Sequence, residues 1–428
     1  MGKAVMTSRE RVLAAVDHQK PDRIPFDLGG TEVSTLSTKA YQNLRRELGL
    51  PDQPAELTQL FMFTAKVDEE VRKMMGFDCV PLIYPVDSCG NRMDGRMQVF
   101  TANDGATAYI SVDSVWDRLE DGSIVMYPQG DRSVPPSMIM LNDSEYFDNI
   151  LGNLPDWDED DLDARRDWAE DFLPIPDDIA KELEEESIRL YEETDAAVIG
   201  MFPYAFLGDA GTIPGYFVRH PKGIRRPEDF LMATLLYPEY IEESFELQTE
   251  VAMENLKIYK DAVGDRIQII RLSTADYGSQ NGPLISPNTF RELYKPFYKK
   301  MNDWIHANTN WRIMFHSCGS IIDLLDDYVD MGCDIINPVQ ISAHGMDPQR
   351  LKDGWGDKLT FWGGGADSQG VLSFGTPEEV RAQVRERMSI FSPGGGYVFN
   401  PVHNIMPDTR MENLLAMIDE VHRFNDSY

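Results

Sequence analysis

Cysteine is scarce, with four residues, Cys79, Cys89, Cys318 and Cys333, in a chain of 428. Their number and irregular spacing exclude a disulfide framework and suit a reducing compartment, so a cytoplasmic location is expected. Positive charge is short too: 40 Lys and Arg face 72 Asp and Glu, for a net charge of −32. Such a surface repels nucleic-acid phosphates and anionic membranes, so neither is an expected partner. No apolar run approaches the ~18 residues of a membrane span. The N-terminal stretch MGKAVMTSRERVLAAVDHQ is amphipathic, without the apolar stretch and small-residue cleavage site of a secretory leader. What is present is ordinary, with 42% hydrophobic and 26% charged residues, and predicts a folded chain with a sizeable core.

The second half alternates short apolar, β-branched segments with longer helical ones, the pattern of parallel βα units. Strands are predicted at 268–276, 312–318, 334–342, 359–367 and 397–405, joined by helices such as 286–308 and 376–391, whose starts carry Ser286-Pro287 and Thr376-Pro377. In the first half, strands are predicted at 23–29, 78–85 and 196–206, and helices at 8–18, 37–48, 66–76 and 178–193. Eight strands suffice to close a (β/α)8 (TIM) barrel, so the expectation is an α/β chain forming a single barrel over residues 1–428. Residues at about 90–177 break the rhythm with hairpin-like segments and the acidic run DWDEDDLDARRDWAED. That stretch is read as an insertion, its acidic run as a solvated helix with a partner surface as the alternative.

Active sites of such barrels collect at the C-terminal strand ends. There the chain places Phe315-His316-Ser317-Cys318-Gly319. Positions i and i+2 of a strand face the same side, so His316 and Cys318 converge, a pair that zinc takes readily. The alternative is an inert buried thiol beside a hydrogen-bonded core histidine. His403, in Asn400-Pro401-Val402-His403-Asn404 after the last strand, is either a third ligand or a substrate contact, and Asn400 beside it is a candidate substrate contact. Asp276, Tyr277 and Gln280 end another strand and are read as substrate-binding, with a polar loop capped by Asp276 as the alternative. Asp87 and Tyr204 are strand-end candidates in the same sense. Gly363-Gly364-Gly365 with Asp367 fits a phosphate cradle, a close approach of ligand to backbone or a tight turn.

Several of these segments also carry a family likeness. Thr7 to Val12, Pro21-Asp22-Arg23-Ile24-Pro25, the stretches ISP (285–287), HSCG (316–319), GGGAD (363–367) and GGGYVFNPVHNI (394–405), and residues 407–424 resemble the uroporphyrinogen decarboxylase superfamily. The resemblance spans nearly the whole chain except 90–177 and implies a TIM barrel. That superfamily contains two chemistries, cofactor-free decarboxylation of porphyrinogens and zinc-dependent methyl transfer to or from a corrinoid. Enzymes similar to methylcobalamin:coenzyme M methyltransferases carry an HxC pair plus a distant cysteine. His316 and Cys318 match the pair, whereas the distant cysteine corresponds to the Pro401-Val402-His403 turn, where this chain resembles the decarboxylases. Decarboxylases carry an arginine-rich segment near the N-terminus for substrate carboxylates, and the matching Phe26-Asp27-Leu28-Gly29-Gly30-Thr31 has no arginine.

The resemblance therefore implies a methyltransferase with zinc on His316 and Cys318, and the place of His403 at the barrel mouth makes it the candidate third ligand. A small O-methyl compound, such as a methoxylated aromatic, or a thiol would exchange the methyl group with a corrinoid. The corrinoid would sit on a separate partner protein, because the chain has no DxHxxG segment. The alternatives are a cofactor-free decarboxylase and a barrel that only binds a tetrapyrrole. A homodimer is one permitted assembly, and nothing in the sequence fixes it.

Overall fold

Phe26 closes the architecture. The computed structural model describes residues 5–428, so the first four residues of the amphipathic N-terminal stretch lie outside it. Seven parallel strands form one curled sheet: β1 (Cys79–Leu82), β2 (Ala197–Met201), β3 (Ile269–Ser273), β4 (Arg312–His316), β5 (Ile335–Asn337), β6 (Thr360–Trp362) and β7 (Tyr397–Val398). Neighbours in this order are neighbours in the sheet. The gap between β7 and β1 is bridged by residues 25–27. Phe399 N donates to Pro25 O and Asp27 N to Phe399 O, both at 2.9 Å, while Asp78 N donates to Phe26 O at 2.7 Å. The fold is thus the expected TIM-like barrel.

The strand predicted at 23–29 is reduced to a single bridge, Phe26 to Phe399. Pro25 has no N–H, and Phe26 N donates to the Asp78 carboxylate at 2.8 Å instead of extending a ladder. Asp78, fully buried, also takes Arg11 and Arg23 at 2.8 Å each. These bonds fasten the closing segment to the N-terminal helix Ser8–Val16, whose start is fixed by a reciprocal capping box between Thr7 and Glu10. Val12, Ala15 and Val16 of that helix pack with Ile199, Ile269, Met314 and Trp362 inside the barrel, so its N-terminal end is plugged.

Other differences from the sequence reading have local causes. The helix expected over 286–308 contains a π-helical turn at Phe290–Tyr294, where Phe290, Leu293 and Tyr294 are buried. The acidic run is not one helix but a 3-10 turn, Glu159–Asp161, and an α-turn, Ala164–Asp167. Asp158 and Asp163 each cap a new start by accepting a backbone N–H, and this competes with a continuous helix. Helices Pro227–Leu236 and Pro238–Val263 were not anticipated.

Within 90–177, Met97–Thr101 and Thr107–Ser111 form a hairpin, and four short antiparallel strands between Trp116 and Asn149 form a second sheet. They enclose an apolar cluster including Phe100, Met126, Met138 and Phe147, joined by Leu60, Phe63 and Tyr216 from the surrounding chain. Of these, Leu60 and Tyr216 also line the cavities at the barrel mouth. No described helix is long and apolar enough to cross a membrane.

Candidate functional site

Strand β4 ends at His316, and side chains alternate along it. Met314 lies in the barrel interior, so His316, two residues on, also faces inward at the level of the mouth. The chain then turns, and Cys318 Sγ comes to 3.4 Å from His316 Nε2. His403 arrives from the loop after β7 with φ of 66°, a left-handed conformation uncommon outside glycine. This conformation brings its ring to 5.1 Å, centroid to centroid, from that of His316. One ligand atom from each of His316, Cys318 and His403 lies within 4.8 Å of the others.

Hydrogen-bond partners settle the orientation of His316 and hold the backbone at Cys318. His316 Nδ1 is 2.6 Å from Asn337 Oδ1, and Asn337 is fixed in turn by donating to Trp362 O at 2.9 Å. With Nδ1 engaged, Nε2 is the nitrogen turned toward the sulfur. Burial pulls the His316 imidazole down to about 4, a neutral ring at physiological pH. Burial and the neighbouring His316 also lower His403. Burial raises the Cys318 thiol well above its ordinary value, and the nearby Asp276 carboxylate adds to the rise. Asp276 Oδ1 accepts the Cys318 N–H at 2.6 Å and lies 3.6 Å from His316 Nε2.

Tetrahedral zinc with one sulfur and two nitrogen ligands suits this set. The donors are of the right kind, their spacing is close to that of a shared ion, and Asn337 supplies the outer hydrogen bond that ligating histidines ordinarily have. Among the described residues this is the group of three or more metal-ligating side chains so gathered.

The sequence-derived candidates divide between two adjoining cavities. Asp276, His316 and His403 line one of about 420 Å³. Asp87 and Tyr204 line another of about 510 Å³. Both cavities include Glu32, Gln59, Phe206, Thr212 and Tyr216, which form the wall between them. Asp87 is held by the N–H groups of Cys89 and Asn91 and by Ser114, and burial raises its carboxyl above the ordinary range. Tyr204 forms a close hydroxyl pair with Tyr84.

Three candidates have other work. Tyr277 is buried, its hydroxyl 2.7 Å from both Leu207 O and the Tyr298 hydroxyl. Gln280 accepts from Gln340 at 2.6 Å outside both cavities. Asn400 is fully buried and donates to Asp27 O at 2.9 Å, where it braces the closing segment. The glycine run is a tight turn filled by the chain itself. A Cβ on Gly363 (φ +135°) would meet Pro338 O at 2.0 Å, and one on Gly365 the Phe399 ring at 2.4 Å, while the N–H groups of Gly363, Gly364 and Gly365 already donate to the carbonyls of Val398, Pro338 and Asn400.

Sequence reasoning missed three charged residues here. Asp209 lines the cavity that His316 and His403 share, and burial, then the Asp276 charge, pushes its carboxyl up to about 7. Its position in the long loop after β2 gave no signal. Glu32 and Arg271 form an ion pair of 2.7 Å whose side chains are each 3% exposed. Arg271 was legible in principle, as a charge at an inward position of a barrel strand.

Comparisons with known proteins follow the same lines. The uroporphyrinogen decarboxylase of Pseudoalteromonas translucida is 28% identical over 151 residues, 34% of this chain and 40% of that protein. That of Methylococcus capsulatus is 30% identical over 104 residues, 24% of this chain and 28% of that protein. The chain thus matches less than half the length of these curated relatives. A methyltransferase from Methanosarcina mazei has the same fold, with a TM-score of 0.56 at 16% identity over 98% of this chain and 99% of that one. The profile described as Uroporphyrinogen decarboxylase (URO-D) matches residues 205–424, just over half of the chain and the part that carries β3 to β7 with His316, Cys318 and His403. On that match, and on a barrel that keeps its polar strand ends at one mouth, the chain belongs to the uroporphyrinogen decarboxylase (URO-D) family.

Proposed function

We propose that this protein is a zinc-dependent methyltransferase that moves a methyl group between a small molecule, such as an O-methyl compound, and a corrinoid presented by a separate protein. The observation that carries the reading is the convergence of His316, Cys318 and His403 within 4.8 Å at the mouth of the barrel. Zinc held there would supply a Lewis acid that favours the anionic form of the oxygen or sulfur to which the methyl is bound or passed.

The chain's own residues do the remaining work. Asn337 holds His316 with Nε2 toward the site. Asp276, anchored on Cys318 N, places a carboxylate beside the ligand set. Asp209, in the same cavity and protonated up to about pH 7, is placed to give a proton to a departing alkoxide. Phe206 and Tyr216 wall the cavity and limit water.

Decarboxylation without metal is the competing reading. His403 in place of cysteine favours it, and so do the names of the curated relatives. Against it, the segment 26–31 offers no arginine to a polycarboxylate and is buried, with Asp27 bonded to Trp362 and Gly30. The deciding experiment is metal analysis with activity. The methyltransferase reading expects roughly one zinc ion per chain and methyl transfer that disappears in Cys318→Ala. Metal-free protein that releases carbon dioxide from a porphyrinogen and ignores chelators would replace it.

A further inference from the structure

The larger cavity, about 510 Å³, has the volume of a one- or two-ring ligand site. Its walls are aromatic, with Tyr84, Trp168, Phe172, Tyr204, Tyr216 and Phe245 among them. At its border with the smaller cavity lies Arg271. Along β3, Ile269 packs in the barrel interior and Arg271, two residues on, faces the same way. Its guanidinium lies 5.3 Å from the Phe206 ring centroid and is 2.7 Å from Glu32 Oε1 through Nη2.

This ion pair is incomplete. Arg271 Nε and Nη1 are buried donors without a partner, and Glu32 Oε2 is a buried acceptor without one. Protein interiors rarely leave such groups unmet, because each has lost its bonds to water. One molecule that offers a neighbouring acceptor and donor would meet these groups together. Net charge argues against an anion there: Glu32 already offsets Arg271, Arg92 is taken by Asp178 and Glu182, and Asp87 and Glu170 also line the cavity.

We infer that this cavity is a subsite for an uncharged aromatic molecule bearing adjacent acceptor and donor oxygens, the acceptor taken by Arg271 and the donor by Glu32. The inference rests on the methyltransferase reading only for the fate of the ligand, since the ring site adjoins the smaller cavity through Phe206, Thr212 and Tyr216.

The test is binding to the full chain, without corrinoid, followed by tryptophan fluorescence, because Trp168 is on the wall. The probes are 2-methoxyphenol, 2-ethylphenol, which lacks the acceptor oxygen, and 3-methoxybenzoate, an anion. Wild-type protein is expected to prefer 2-methoxyphenol to 2-ethylphenol by about tenfold or more and to bind the benzoate least. In Glu32→Gln/Arg271→Met, which removes both charges together, the preference should disappear. Equal wild-type binding of the two phenols, tighter binding of the benzoate, or a preference that persists in the double variant would overturn the inference. The wild-type comparison stands even where the double variant does not fold. Ligand preference without methyl transfer sinks the methyltransferase reading and leaves this subsite; methyl transfer without the preference does the reverse.

Discussion

His316 Nδ1 and Asn337 Oδ1 are 2.6 Å apart, and the two residues end adjacent strands, β4 and β5, in register. The sheet itself therefore aims the imidazole. If zinc binds as proposed, removing that brace should loosen the ligand without deleting it: Asn337→Ala is expected to weaken zinc binding roughly 10- to 100-fold. Competition with a coloured chelator measures this, and Cys318→Ala in the same assay should lose more. An unchanged affinity in Asn337→Ala would show that the ring is held by something else.

Asp209 tests the proton-transfer step. If its carboxyl gives a proton to the leaving oxygen, the rate of wild-type protein should decline as pH rises above about 7, where this group ionises. Asp209→Asn should lose about 10²-fold or more in rate and show no decline in that range. A variant with wild-type rate and the same alkaline decline would remove Asp209 from the mechanism.

The barrel's closure depends on Asp78. It is fully buried and holds Arg11, Arg23 and the Phe26 N–H at 2.8 Å each. Asp78→Ala removes the shared acceptor of Arg23 and the Phe26 N–H and leaves Arg11 with Asp22 as its remaining carboxylate partner, and the expected cost is about 3 kcal/mol. Urea denaturation reads it, with a shifted midpoint at similar slope. A shift below about 1 kcal/mol would mean that water or neighbouring groups replace the carboxylate.

His306 supplies a pH-dependent contribution to stability. Its Nε2 is 2.9 Å from Asp334 Oδ2, and that hydrogen bond raises the imidazole above its ordinary 6.5. Because the folded value exceeds the unfolded one, the stabilisation is fully present below pH 6.5 and is lost as pH rises through the higher folded value. Both groups are partly exposed, which keeps it below about 1 kcal/mol. The stability gap between wild type and His306→Gln should shrink from pH 5.5 to pH 8.5 in paired denaturation curves; a gap that widens contradicts the assignment.

Alternation and cap residues made most of the barrel legible. Every strand of the seven-stranded sheet falls within a segment whose apolar pattern announced it, and helices such as Pro377–Phe391 begin at their marked caps. The observed strands are shorter than the apolar segments, since the residues beyond them turn outward to form the mouth. The closing segment was misjudged as a strand because its pairing is decided by a carboxylate, Asp78, more than fifty residues away in sequence, not by its own pattern.

The sequence alone determined the order of the barrel strands, from the alternation of apolar and helical segments along the chain, and named His316 and Cys318 as neighbours because they are two residues apart at a strand end. Only the tertiary structure decided that His403 joins them, that Tyr277 and Asn400 serve the scaffold, and that Glu32 meets Arg271 between two cavities. Those relationships join strand ends and loops far apart in the chain. They depend on how the closed barrel gathers its loops, a distance in space that no local pattern encodes.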